Sequence, residues 1–177
     1  MQSERTLESK RVFEGRLISV DVLKVELEDG SHTSREIVVH PDAVCAVVVN
    51  RQRQIALVKQ YRKPLEKAIL EIPAGKIDAG ESADEAIVRE LREEVGYLSG
   101  KIRKLTDFYT SPGFCNEKLT LYLAEEVEAG EPQTDEGEFI ENVWVSLSEA
   151  VEMAVDGRLG DAKSTMGILL AARLLGA

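Results

Sequence analysis

Two cysteines, two histidines and one tryptophan among 177 residues leave little of the side-chain chemistry that most often marks a metal or redox site. Cys45 and Cys115 have neither metal-finger nor redox-motif spacing, so both are expected to be reduced thiols of a cytoplasmic protein. His32 and His40 have no companion ligands nearby and are expected at loops or strand ends. Basic charge is also short: 22 Lys and Arg face 32 Asp and Glu, a net charge of −10. Without a basic stripe to displace counterions, no nucleic-acid partner is expected. The N-terminus "MQSERTLESKRVF" lacks an apolar core segment, and no apolar run is long enough to cross a bilayer, so no membrane partner is expected. There is no internal repeat and no low-complexity tract, only a short acidic loop at "EAGEPQTDEGEF". An acidic protein of this kind needs local arginines or a metal ion to handle an anionic small molecule.

What is present is an ordinary globular composition of one-domain length. The segment "RVFEGRLISVDVLKVELEDG" alternates apolar and polar residues up to a turn signal at Asp29-Gly30, and "REIVVH" returns as a second strand. The runs "AVCAVVV" and "QIALVKQYR" flank the polar "NRQRQ" and predict a hairpin whose first arm is buried on both faces. Later β-like runs are "KLTDFYTS", "KLTLYLAEEV" and "ENVWVSL", followed by two helices, "SLSEAVEMAVDG" and "AKSTMGILLAARLLG". Strands, a helix, strands and then helices predict an α+β or mixed α/β sandwich.

The most informative stretch is "GKIDAGESADEAIVRELREEVGY", residues 75–97. Ser82 and Glu85 have capping-box spacing and Gly96 is a stop, so a helix is predicted over 83–95. At about 100° per residue, Ile87, Val88, Leu91 and Val95 form the core-facing arc. Glu94 projects within about 20° of Ile87 and Glu90 within about 60°, whereas Glu85, Arg89 and Arg92 fall on the far side. Carboxylates beside a core need a compensating cation, because burying an unpaired charge costs several kcal/mol. Glu90, Glu93 and Glu94 can converge on a hard cation such as Mg²⁺, which takes oxygen ligands. Arg89 is spaced to brace Glu85 or Glu93.

These residues carry a resemblance. Gly75, five residues, Glu81, seven residues, then Arg89-Glu90-Leu91-x-Glu93-Glu94-x-Gly96 resembles the Nudix box, with Tyr97 in place of the usual aliphatic ending. The preceding "LVKQYRKPLEKAILEIPAGKID", the "YTSPGF" turn with Pro112 fifteen residues after Tyr97, "REIVVHP" and "GRLGDAKSTMGILLA" are similar to the ADP-ribose pyrophosphatase branch of that family.

The resemblance implies an α/β/α sandwich with a mixed sheet over residues 41–177. It also implies an N-terminal β-segment over 1–40 that pairs with a second subunit in a homodimer. It implies a Mg²⁺-dependent hydrolase, with Mn²⁺ or Zn²⁺ as substitutes, that cleaves ADP-ribose to AMP and ribose 5-phosphate. The alternatives are a pyrophosphatase for another nucleoside diphosphate sugar such as GDP-mannose, or a Nudix-fold regulator that binds without cleaving. Divalent ions would neutralise the pyrophosphate oxygens and activate a water. By the same resemblance Glu90, Glu94 and the Ala74 carbonyl ligate the metal, Glu93 is a further ligand or bridge, and Glu81 and Arg89 hold the loop and helix in position. The resemblance also implies a water-activating base in the acidic loop ahead of the last strand, expected to be Glu138, with Glu136 as the alternative. It further implies substrate contacts: Arg62 on the phosphates, Arg35 reaching the partner's site in a dimer, and Glu117, after the Pro112 turn, on the terminal ribose.

Overall fold

The structure is a computed structural model that describes residues 3–133 and 140–176. The chain divides into two compact units, Met1–Asp42 with Tyr109–Lys118, and Ala43–Phe108 with Leu119–Ala177.

The first unit is built on an antiparallel sheet of three strands in the order β1 (Arg5–Glu14), β2 (Ser19–Glu26) and β3 (His32–Val39). The sequence pattern predicted two strands here. The extra one arises because the chain turns at Gly15, whose N–H donates to Ile18 O at 2.9 Å, and polar residues from Arg5 onward pair with β2. Such pairing satisfies backbone groups without needing buried side chains, so it leaves no hydrophobic alternation to detect. The Pro112 turn joins this unit beside β3: Val38 N–H donates to Phe114 O at 2.7 Å and Asn116 N–H to Val38 O at 3.2 Å.

In the second unit the order β10 (Glu141–Ser146), β5 (Gln54–Arg62), β4 (Ala43–Asn50), β9 (Lys118–Ala129), β8 (Tyr97–Tyr109) makes a mixed sheet: β4 runs parallel to β9 and antiparallel to β5. β4 alternates between two cores. Cys45, Val47 and Val49 pack with α2 (Leu147–Asp156) and α3 (Ala162–Leu174), whereas Val44, Ala46 and Val48 pack with Ile87, Leu91 and Val95 of α1 (Ala83–Val95). Burial on both faces explains the unbroken apolar run, and each fully buried Val or Ile stabilises the fold by about 1.5–3 kcal/mol. This unit is therefore the three-layered α/β/α arrangement expected from the sequence.

One departure from a regular sheet prepares the site. β4 pairs with β5 only at Val48 and Val49, and two short strands occupy the gap that follows. β6 (Lys67–Glu71) runs along β5, and β7 (Ala74–Lys76) runs along β4. The turn between them is held because Ala46 N–H donates to Pro73 O at 3.0 Å.

Candidate active site

Helix α1 starts and stops where its caps dictate. The Ser82 hydroxyl accepts from Glu85 N–H, Glu85 Oε2 accepts from Ser82 N–H at 2.9 Å, and Gly96 ends the helix at φ +69°, a left-handed conformation that costs glycine little. The core-facing arc is buried as its spacing requires, and it carries Glu94 inward to 5% exposure. Glu94 Oε2 accepts the N–H of Ala74 at 3.0 Å, so the helix and the turn ahead of the box are tied through a carboxylate.

Glu90 owes its position to Gly75. A Cβ at that residue would meet Cδ, Oε1 and Oε2 of Glu90 far inside 3.0 Å, a separation that real Cβ atoms essentially never breach. The glycine six residues ahead of Glu81 is thus a cradle for the Glu90 carboxylate.

Arg89 departs from the helical-wheel expectation. Its long side chain curls back from the far side of α1 toward the carboxylates. Nε donates to Glu81 Oε1 at 3.0 Å and Nη2 to Glu81 Oε2 at 2.9 Å and to Lys76 O at 2.9 Å. Nη1 donates to Glu90 Oε1 at 2.8 Å and Glu93 Oε2 at 3.1 Å. The fork with Glu81 is the main reason the guanidinium binds its proton more tightly than usual, and in return Glu81 is held below the ordinary carboxylate range. Glu85 is instead occupied by the cap.

Among the described residues no set of three or more potential ligands is already gathered at metal-binding spacing. Glu90 and Glu93 nevertheless both reach one nitrogen of Arg89, so a single positive centre can be shared by the two carboxylates. With Glu94 one turn from Glu90 and every candidate donor an oxygen, the set fits a hard divalent cation rather than a soft one.

Arg62 ends β5 and forks onto Glu71, Nε to Oε1 at 2.6 Å and Nη2 to Oε2 at 2.9 Å. Glu71 also accepts from Lys163 Nζ, which reaches Asp161 Oδ1 at 3.1 Å. Asp161 caps α3, accepting from Lys163 N–H at 3.0 Å and from the Ser164 hydroxyl, and Ser164 Oγ accepts Ile72 N–H at 2.8 Å. Sequence reasoning missed Glu71, Asp161, Lys163 and Ser164. The available signals were a glutamate two residues before the proline of the "PAG" turn and an Asp-x-Lys-Ser cap ahead of the last helix.

Arg35, Pro112 and Glu117 belong to the first unit. Arg35 lies on β3 with its guanidinium on Glu4, at 2.6 Å from Oε1 and 3.1 Å from Oε2. Glu117 accepts the Thr110 hydroxyl at 2.6 Å and lies 3.3 Å from His40 Nδ1. Glu136 and Glu138 lie outside the described residues. The residues flanking them do contact α1: Gln133 N–H donates to Glu93 O at 2.9 Å, and Asn142 Nδ2 donates to Glu94 O at 2.7 Å.

A glycine cradle, a helix of convergent carboxylates and an arginine brace agree with comparisons to known proteins. The NUDIX domain model matches residues 39–166. The chain belongs to the Nudix family. It is 43% identical to the ADP-ribose pyrophosphatase of Bacillus subtilis (strain 168) over 93% of this chain and 90% of that protein. It is 40% identical to the methanol dehydrogenase activator of Bacillus methanolicus, with the same coverage of each. A crystal structure of an ADP compounds hydrolase superposes with a TM-score of 0.88 at 25% identity, covering 99% of this Nudix chain and 96% of that one.

Proposed function

We propose that the chain is a Mg²⁺-dependent pyrophosphatase that cleaves ADP-ribose to AMP and ribose 5-phosphate. The observation that carries this reading is the seating of Glu90 in the Gly75 cradle one turn from buried Glu94, in a chain 43% identical to an ADP-ribose pyrophosphatase. Glu90, Glu93, Glu94 and the Ala74 carbonyl would hold the metal. When bound, the ion supplies charge neutralisation at the pyrophosphate oxygens and lowers the pKa of an attacking water.

The chain's own residues do the rest. Arg89 keeps Glu90 and Glu93 aligned through Nη1 while Glu81 holds Arg89. Arg62 presents a guanidinium to a phosphate oxygen, which suits its forked geometry. Glu138, or Glu136 in its place, takes the proton from water. What supports a base in that segment is the anchoring of Gln133 and Asn142 on the backbone carbonyls of Glu93 and Glu94.

The homodimer is part of the same proposal. β1 pairs only with β2 among the described residues and exposes Val12 and Phe13, which suits a strand edge that a second copy covers. In that assembly Arg35 would leave Glu4 for the partner's phosphates, and Pro112 and Glu117 would face the terminal ribose.

Glu94→Gln tests the assignment. It should keep the melting temperature within a few degrees while removing most Mg²⁺-dependent activity; full activity would remove Glu94 from the metal site. Glu138→Gln and Glu136→Gln, compared at saturating metal, identify the base by which of them abolishes kcat.

A further inference from the structure

Glu71 poses a problem that the proposed chemistry leaves open. A carboxylate at 2% exposure sits among the strands, on the buried side of an arginine whose own side chain is 41% exposed. Burial alone would push Glu71 toward protonation, yet the Arg62 fork and the Lys163 charge outweigh it and hold its pKa below the usual carboxylate value. Two cations, Arg62 and Lys163, balance two anions, Glu71 and Asp161, so the cluster is neutral as a whole. Such a cluster stabilises a fold no better than well-packed apolar side chains of the same volume, so stability alone does not account for it.

Its geometry is directional. Glu71 takes the Nε and Nη2 edge of Arg62, and Nη1 carries no hydrogen bond among the described residues. The guanidinium is therefore clamped by one edge with the other turned away from the clamp. Glu94 is close enough to add to its proton affinity, which places the guanidinium within the field of the box carboxylates. The clamp is itself fixed from α3: Lys163 donates to Oε2 of Glu71, Asp161 holds Lys163, and fully buried Ser164 joins Asp161 to the N–H of Ile72, next to Glu71.

We propose that Glu71 is a positioning residue that holds the Arg62 guanidinium in its phosphate-binding orientation, with Lys163 and Asp161 of the α3 cap locking Glu71 in turn. The proposal rests on the reading of Arg62 as the ligand of the substrate phosphates. An unclamped arginine at a strand end must be ordered each time substrate binds, whereas a clamped one has that cost met by the fold. Glu71→Gln cannot reproduce the clamp, because an amide offers one acceptor oxygen and turns its NH₂ toward Arg62 or Lys163.

The test is a double-mutant cycle in kcat and KM for ADP-ribose at saturating Mg²⁺, with melting temperatures recorded alongside. Arg62→Ala should raise KM by about tenfold or more, as loss of a charged hydrogen-bonding partner does. Glu71→Gln should raise KM by about tenfold with kcat changed less than about threefold, and should add nothing to KM in the Arg62→Ala background. A general structural role predicts a loss of kcat, or a further rise in KM when the two changes are combined, and either result overturns the proposal. Should Glu71→Gln fail to fold, Glu71→Asp keeps the charge and shortens the clamp by one methylene; wild-type KM in that variant also overturns it. If Arg62→Ala leaves KM unchanged, the phosphate reading of Arg62 fails first and the proposal falls with it. A raised KM in Arg62→Ala with a normal KM in Glu71→Gln removes the positioning role alone.

Discussion

Gly75→Ala is the smallest change that should disable the site, and its effect can be worked out from one contact. The three atoms nearest an added Cβ are Cδ, Oε1 and Oε2 of Glu90, all of them at the end of a flexible side chain. The backbone need not move, because the Glu90 carboxylate can swing aside, but in doing so it gives up its 2.8 Å bond to Arg89. A hydrogen bond between charged groups contributes about 1.5–3 kcal/mol, and each kcal/mol moves the melting temperature of a chain this size by about 2–4 °C. Gly75→Ala should therefore melt roughly 3–12 °C lower, and with Glu90 misplaced it should lose at least about 10²-fold in kcat/KM. In a Glu90→Ala background the obstruction is gone, and replacing a strand glycine by alanine should be neutral or stabilising by about 0.5–1 kcal/mol. Differential scanning fluorimetry on the four proteins, with kcat/KM for the two that retain Glu90, measures both effects. Equal destabilisation in the two backgrounds, or full activity in Gly75→Ala, would refute the cradle.

Other outcomes follow from the same geometry. Arg89→Met releases Glu81, Glu90 and Glu93 from a common partner, so it should unfold at a lower temperature without divalent ions and regain much of the loss with Mg²⁺; melting curves with and without the ion decide it. Ser164→Ala strands the buried N–H of Ile72 and should cost about 1–3 kcal/mol in urea unfolding. Burial pushes the Cys45 thiol up to about 12, so at pH 8 a thiol reagent should modify Cys115 alone in the native protein and both cysteines in urea.

Much of the architecture is legible in the sequence where one local pattern decides the outcome. Ser82, Glu85 and Gly96 delimit α1 by capping alone, and the run from Ala43 to Val49 announces a doubly buried strand. Elements made by pairing rather than by patterning are different. β1 is exposed along nearly its whole length, and β6 and β7 are short strands inserted where β4 and β5 part, so neither leaves a hydrophobic period to detect. The site divides in the same way. Glu90 and Glu94 follow from helical spacing, but the course of Arg89 depends on the reach of a long side chain, which a helical wheel does not represent. Glu71 and Lys163 stand 92 residues apart, and only the fold brings them together.

Identifying the reaction products decides both the activity and the substrate. Purified protein with Mg²⁺ is offered ADP-ribose, GDP-mannose, a UDP-sugar and a dinucleoside polyphosphate, and the products are separated and identified. ADP-ribose should give AMP and ribose 5-phosphate at the highest kcat/KM of the set. A higher kcat/KM on another nucleotide sugar would contradict the substrate assignment, and no turnover of any of them would contradict the enzymatic reading itself.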